Sequence, residues 1–192
     1  MAATLDVISS GRLELGIGVG WNEQESSAYG IELGTPAQRS DRFEEACQVL
    51  AGLLSPQQTT TFEGSYYRLA DARCNPKPVQ QPHPPICIGG SGYKRTLRTA
   101  ARFAQHWNFG GGTVEQFSEA RDVLRQHCAD VGRDPAQILL SCQVQFTGDP
   151  AQTAATAAAF GAAGADLAIV YLPPPHKPVM LESLAPALRE LS

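Results

Sequence analysis

Apolar residues along this chain alternate between short continuous runs, which are typical of buried strands, and longer stretches with helical spacing. The predicted strands are Arg12–Val19, Ile86–Ile88, His106–Phe109, Ile138–Phe146 and Asp166–Leu172. The predicted helices are residues 1–10, a segment opening at Thr35-Pro36, the segment after Gly92, one opening at Thr113, residues 150–163 and a last one around 180–191. Strands that alternate with helices predict a parallel sheet with right-handed crossovers.

Helix boundaries are marked by recognisable capping residues. Thr35 followed by Pro36 predicts an N-cap and first helical position, Thr113 with Gln116 forms a T-x-x-Q capping box, and Asp149-Pro150 starts an alanine-rich helix. Residues 1–10 are expected to be the end of a helix, in which the apolar residues Ala2, Leu5 and Ile8 share a face and Gly11 suits the C-terminal cap.

Two segments depart from the strand–helix alternation. The run TTTFEGSYYRL contains two β-type pieces around Glu63-Gly64 and predicts a hairpin. The segment Asn75–Pro85 carries five prolines, so it is expected to be extended and not helical.

The candidate ligand site is the turn Gly89-Gly90-Ser91-Gly92, between a buried strand and an amphipathic helix. Such a turn lets backbone N–H groups and the helix dipole converge on an anion, although glycines also serve tight backbone geometry alone. Lys94 and Arg95 are expected in the first helical turn, where the dipole disfavours cations. Either an anionic ligand relieves that conflict, or the two side chains are simply solvated.

Other glycine-containing loops follow predicted strands at the same edge of the sheet, where parallel α/β proteins bind ligands. Gly20-Trp21-Asn22-Glu23 follows the first strand, and Gly110-Gly111-Gly112 follows the third. Trp21 either contacts a ligand or covers the core, and the two alternatives stay open at this point. Glu23 and Glu25 are commoner as surface carboxylates than as catalytic ones, and His106 is expected to be a core histidine.

Composition favours one domain over residues 1–192, with 43% hydrophobic and 18% charged residues and a net charge of −4. There is no basic patch for nucleic acid, no membrane-length apolar run and no signal-peptide pattern at the start, so we expect a cytoplasmic protein. The five cysteines include no CxxC pair and are expected to be reduced; with four scattered histidines, no metal site is expected.

Three segments together resemble the luciferase-like monooxygenase superfamily, on its branch that depends on the deazaflavin coenzyme F-420. They are TLDVISSGRLELGIGVGWNEQESSAYGI, FEGSYYRLADARCNPKPVQQPHPPICIGGSG and KRTLRTAARFAQHWN, and they cover most of residues 4–110. The remainder agrees with the family in element order.

The resemblance implies a (β/α)8 TIM-barrel fold that binds coenzyme F-420, or alternatively FMN, at the carboxyl ends of its strands. Gly89, Gly90, Ser91 and Gly92 would then hold the cofactor phosphate, with Thr96 close by. Five further cofactor contacts are implied: Gly20, Trp21, Asn22, Trp107 and Asn108.

The chain departs from the family pattern in two ways. A complete barrel takes about 250 residues, whereas only five barrel-type strands are found here, and the first resembles the family's fourth. We therefore expect a partial barrel of about five βα units plus an inserted hairpin, without the first three units. Trp21 also stands where the sugar-phosphate-oxidising branch has a glutamate, which argues against that substrate class.

Two functions follow as hypotheses. In the first, the chain is an oxidoreductase that moves a hydride between reduced coenzyme F-420, or FMN, and a small organic substrate. In the second, it is a non-catalytic partial or split barrel that requires a partner, either another copy or a complementing N-terminal fragment, because an open sheet exposes its edges and apolar face. The sequence identifies no catalytic acid or base.

Overall fold

The computed structural model describes residues 1–191. The strands are β1 (Leu15–Ile17), β2 (Thr60–Glu63), β3 (Arg68–Ala72), β4 (Ile86–Gly89), β5 (His106–Phe109), β6 (Leu139–Gln145) and β7 (Leu167–Tyr171). The α-helices are α1 (Ala2–Ile8), α2 (Glu23–Ala28), α3 (Pro36–Leu54), α4 (Thr96–Phe103), α5 (Val114–Asp130), α6 (Pro150–Ala162) and α7 (Pro178–Arg189). A 3-10 turn, Pro135–Gln137, precedes β6.

Five strands form one parallel sheet in the order β1-β4-β5-β6-β7, and β2 pairs with β3 as an antiparallel hairpin. The predicted fold class is confirmed: each parallel neighbour is reached through a helical crossover, as in a TIM-type barrel. The hairpin lies between α3 and β4, where the run around Glu63-Gly64 predicted it. Within residues 1–191, β1 and β7 each pair on one side only.

The two faces of the sheet differ sharply in side chains. Residues that point toward the helices form the apolar core, in which Ile86, Ile88 and Trp107 are fully buried. The opposite face carries glycines on β1 and leaves apolar side chains exposed on β6 and β7. Its exposed apolar residues are Leu139, Leu167 and Tyr171.

The helix starts predicted at Thr35, Thr113 and Asp149 are confirmed. Thr35 and Thr113 each close a full capping box, with Gln38 and Gln116 respectively, and Asp149 accepts hydrogen bonds from the first turn of α6. These polar caps satisfy amide groups that the helix itself leaves without acceptors.

The predicted helix at the start of the chain is confirmed as α1, but its apolar face is not the buried one. Leu5 and Ile8 are exposed, whereas Ala3 and Asp6 are buried. Asp6 turns inward because its carboxylate accepts hydrogen bonds from the Val79 amide at 2.8 Å and from both the amide and side chain of Gln80. Helical periodicity identifies the apolar face of α1. It cannot show that the proline-rich segment supplies hydrogen-bond donors that hold the polar face inward.

Strand β1 is shorter than the predicted Arg12–Val19, and α2 is absent from the predictions. The first strand lies at a sheet edge and is hydrogen-bonded to β4 only over Leu15–Ile17. The six-residue α2 contains no buried residue, so no apolar stripe in the sequence predicts it. The sequence feature that could have predicted its start is the N-cap residue Asn22.

The hairpin is fixed to α3 by one carboxylate. Glu45 accepts hydrogen bonds from the backbone amides of Ser65, Tyr66 and Tyr67. Burial alone would raise the pKa of Glu45, but these three amides outweigh it and hold the pKa below its ordinary value. No helix within the described chain is long and apolar enough to cross a bilayer.

Candidate functional site

The glycine-rich turn between β4 and α4 is held from two sides by β5. The amide of Gly90 donates to the Asn108 carbonyl at 3.1 Å, and the Trp107 indole nitrogen donates to the Gly90 carbonyl at 2.8 Å. Gly90 has φ +111°, in the region that L side chains rarely adopt. This position therefore requires glycine for backbone geometry, independently of any ligand.

The second half of the turn leaves donors and space for a ligand. A Cβ atom at Gly92 would lie 2.9 Å from the Thr96 hydroxyl, so glycine keeps this hydroxyl uncovered at the first residue of α4. Among residues 1–191, no protein acceptor receives the amides of Ser91 or Gly92. Two free amides and a hydroxyl at a helix N-terminus are a donor set suited to a phosphate.

The expected placement of Lys94 and Arg95 in the first helical turn is wrong, because α4 begins at Thr96. Arg95 pairs with Asp41 at 2.6 Å, so its charge is compensated by α3. Arg98 and Arg102 likewise pair with one carboxylate on α3, that of Glu44. These ion pairs dock α4 on α3, so the basic residues do not by themselves indicate an anionic ligand.

Trp107 lies behind the turn and not in front of it. The indole is fully buried and stacks on Phe117, with ring centroids 5.7 Å apart. The ring therefore faces the core, and its nitrogen fixes the Gly90 carbonyl from that side.

Asn108, the next residue of β5, points to the opposite face. Its Oδ1 is buried and has no hydrogen-bond partner within the described chain. Asn108 lines an open groove of about 330 Å3 whose other walls include Gly18, Gly89, Gly110 and Gln143. A buried side-chain oxygen without a partner, in a glycine-lined groove, is the feature of this region that most directly suggests a polar ligand.

The loop after β1 contributes unequally. Trp21 is 83% exposed, which rules out its role as a cover over the core and leaves its ring free to contact a ligand. Asn22 uses its side chain to cap α2, accepting from the Glu25 amide at 3.0 Å. Gly20 has φ +80°, and a Cβ there would meet the Leu33 side chain at 3.1 Å, so this glycine also answers a backbone demand. Glu23 lies in the first turn of α2, where its charge complements the dipole.

A polar cluster that the sequence analysis did not predict lies on the open face of the sheet, opposite the helices, toward the amino ends of the strands. His106 is buried; its Nδ1 lies 2.5 Å from Glu14 and its Nε2 lies 2.6 Å from the Ser141 hydroxyl. The Cys87 thiol completes a group whose ligand-type atoms, from Glu14, Cys87 and His106, lie within 4.8 Å of one another. The expectation of a buried histidine is confirmed. The sequence contains no motif that links these three positions, because only strand pairing brings them together.

Burial, followed by the charge of Glu14, raises the pKa of Cys87 to about 11. The thiol is therefore protonated and weakly nucleophilic near neutral pH. All five cysteines are free, as expected from their spacing.

A cleft larger than this groove lies away from the region. It measures about 420 Å3 and is lined by residues of α5 and of the segments that precede β6 and β7, including Arg121, Asp134 and Asp166. The amino ends of the strands face it, whereas parallel α/β sheets bind ligands beyond the carboxyl ends. The candidate site is therefore the smaller groove beside the glycine-rich turn.

In folds of TIM type, a loop that leads from a strand into a helix N-terminus frequently binds phosphate. The family model for luciferase-like monooxygenases matches residues 1–187. The chain belongs to this family.

Similar proteins include an FMNH2-dependent dimethylsulfone monooxygenase of Pseudomonas putida, 34% identical over 131 residues, which are 68% of this chain and 35% of that protein. A coenzyme F-420-dependent secondary alcohol dehydrogenase superposes with a TM-score of 0.84 at 18% identity, covering 98% of this chain and 73% of the other. The coenzyme F-420-dependent tetrahydromethanopterin reductase of Methanopyrus kandleri superposes with a TM-score of 0.76 at 16% identity, covering 99% and 77%. The chain spans about half the length, or less, of the curated relatives it matches.

Proposed function

We propose that this chain forms the phosphate-binding side of a flavin- or deazaflavin-dependent oxidoreductase acting on a small organic substrate. The observation that carries the proposal is the β4–α4 turn, in which the amides of Ser91 and Gly92 and the nearby Thr96 hydroxyl have no protein acceptor among residues 1–191. Family membership and the cofactors named for similar proteins support the same class.

The roles of individual residues follow from their positions. Ser91, Gly92 and Thr96 would hold the cofactor phosphate, and Gly90 and Trp107 would keep the turn in shape. Asn108 would accept a hydrogen bond from the bound cofactor, because its Oδ1 is buried without a partner among residues 1–191. Trp21 would pack against the ring or the substrate from the loop after β1.

Both FMN and coenzyme F-420 carry a phosphate that this turn would accept, so either fits the donor set. When bound, the reduced cofactor supplies a hydride, or in the oxidised form accepts one, while the protein orients the reactants and excludes water.

The direct test is titration of the purified chain with FMN and, separately, with coenzyme F-420, following cofactor fluorescence. Saturable binding of one of them supports the proposal and identifies the cofactor. Absence of binding by both up to about 1 mM, where a binding free energy falls to about 4 kcal/mol, overturns it.

A matched pair of variants tests the phosphate position. Ser91→Asp places a carboxylate beside the phosphate and should weaken binding roughly ten-fold or more, whereas the neutral, similarly sized Ser91→Asn should stay within about three-fold. Ser91 suits this comparison better than Gly90, where the positive φ would strain any side chain. Equal affinities in the two variants would locate the phosphate elsewhere.

The second candidate function is a partial barrel that acts only with a partner. The specific observation is the open face: Leu139, Leu167 and Tyr171 are exposed, and β1 and β7 are unpaired on one side within residues 1–191. Further βα units, supplied by the same or another polypeptide, would cover this face. Cofactor binding by the isolated chain would favour the first candidate, and binding that appears only after association would favour the second.

A further inference from the structure

Three side chains with different metal-binding atoms meet on the open face, next to the proposed cofactor groove and toward the amino ends of the strands. Cys87 and His106 are directly paired residues of β4 and β5, and Glu14 precedes β1, whose Gly16 pairs with Cys87. Because successive residues of a strand alternate in direction, Glu14 and Gly16 point to one face. Gly16 has no neighbour within 4 Å of a Cβ position, so the space beside the cluster is open.

The distances approach those of a coordination sphere. A tetrahedral Zn²⁺ with bonds of about 2.0–2.3 Å places its ligand atoms about 3.5 Å apart. Here the carboxylate, thiol and imidazole atoms lie within 4.8 Å of one another, and Glu14 lies 2.5 Å from His106. Side-chain rotations that move the ligand atoms by about 1 Å would bring all three onto one ion. The Glu14 and His106 atoms would move apart, and the Cys87 sulfur would move closer to them.

The remaining nitrogen of the histidine is already held. Ser141, on β6, contacts Nε2 of His106 at 2.6 Å. A ligating histidine commonly donates its second N–H to a hydroxyl, carboxylate or carbonyl, which fixes the ring orientation and the tautomer. Ser141 therefore leaves Nδ1, the nitrogen that faces Glu14, as the one available to a metal.

We propose that Glu14, Cys87 and His106 bind one Zn²⁺ ion, with water at the fourth position. The mixed sulfur, nitrogen and oxygen ligands suit zinc and do not suit Mg²⁺ or Ca²⁺, which prefer oxygen alone. Coordination replaces the thiol proton of Cys87, which passes to solvent. The ion connects the segment before β1 to β4 and β5 at the amino side of the groove, which Cys87 also lines, and its ligands are not the residues proposed to hold the phosphate.

The experiment uses the full chain after treatment with a chelator. Zn²⁺ is titrated in competition with a chromophoric chelator, and Co²⁺ is used as a spectroscopic probe. We expect one Zn²⁺ per chain, a thiolate-to-Co²⁺ charge-transfer band, and a rise of Tm on adding Zn²⁺ because the ion binds only the folded state. Cys87→Ser should abolish the band, and Cys87→Ser and His106→Gln should each weaken Zn²⁺ binding at least about ten-fold.

Matched controls are Cys74→Ser and His83→Gln, which remove a thiol and an imidazole outside the cluster. Zinc affinity that is unchanged in Cys87→Ser, or that falls as much in Cys74→Ser, overturns the proposal. If His106→Gln does not fold, as judged by circular dichroism, the site is tested on the unmodified protein by measuring the rate of cysteine alkylation. Zn²⁺ should slow alkylation of Cys87 but not of Cys74, and equal rates with and without Zn²⁺ refute the site.

Discussion

The indole of Trp107 is a buried side chain that holds the glycine-rich turn from the core side. Its nitrogen donates to Gly90, and its ring stacks on Phe117 behind the sheet. The backbone amide of Gly90 is bonded to Asn108 on the other side of the turn. These β5 hydrogen bonds therefore hold the turn in shape. We expect a change to either bond to alter the affinity for the cofactor.

Trp107→Phe keeps an aromatic ring on Phe117 but removes the donor to Gly90. We expect cofactor affinity to fall roughly three- to ten-fold, since one hydrogen bond contributes about 0.5–1.5 kcal/mol. Fluorescence titration with FMN measures the effect, and Tm is recorded in parallel because the smaller ring also reduces packing. A loss of Tm with unaltered affinity would assign Trp107 to the core alone.

Asn108 combines burial with an unsatisfied carbonyl oxygen, a combination that costs stability unless a ligand uses it. We expect Asn108→Ala to leave the free energy of unfolding unchanged or raised by up to about 1 kcal/mol, while cofactor affinity falls roughly ten-fold. Urea denaturation and fluorescence titration check the two quantities. A variant that is clearly less stable and binds equally well would make Asn108 a structural residue.

At the scale of elements, two carboxylates join pieces of chain that the sheet does not connect. Glu45 holds the hairpin on α3, and Asp6 holds α1 on the proline-rich segment. Burial acts to raise the pKa of Asp6, but hydrogen bonds from Gln80 and Val79 outweigh it and leave the pKa below its ordinary value. The ionised carboxylate is therefore the form that the folded state prefers.

The consequence is a defined pH dependence. With a pKa lowered in the folded state, Asp6 contributes stability above its ordinary pKa of about 3.9, and that contribution is lost as pH falls through the folded pKa. Asp6→Asn should lower the urea midpoint near neutral pH and weaken its decline below about pH 4, with Glu45 supplying the residual slope. The exposed Glu182→Gln is the control, and an Asp6→Asn profile parallel to the parent would refute the account.

At the scale of the whole molecule, the sheet has one covered and one open face. The helix side is a continuous core, whereas the other side exposes apolar residues at its β6–β7 end and leaves both edge strands without an outer neighbour in residues 1–191. Exposed apolar patches and free strand edges favour association.

We expect the isolated chain to self-associate as its concentration rises, and Leu167→Lys with Tyr171→Lys to shift it toward monomer. Both side chains are on the open face, with exposures of 44% and 56%. Sedimentation velocity measures the distribution, and Leu181→Lys, on the outer surface of α7, is the matched control. A monomer at all concentrations would mean that the open face does not drive assembly.

The sequence by itself determined the order of the strands and of the helices other than α2, because capping boxes, proline positions and buried apolar runs are local signals. Thr35, Thr113 and Asp149 each start a helix where their side chains predicted it. The same signals, with three family-like segments, located the glycine-rich turn. Local patterns failed where a partner distant in sequence decided the outcome, as with Asp6 on α1.

Only the tertiary structure decided which side chains meet. Trp107 and Asn108 are neighbours in sequence, yet the alternation of a strand sends one into the core and the other into the groove. Glu14, Cys87 and His106 are far apart in the chain and come together through the pairing of parallel strands. Register across a sheet is a long-range property that no single stretch of sequence contains. In this protein it determines both the groove beside the glycine-rich turn and the adjoining cluster of Glu14, Cys87 and His106.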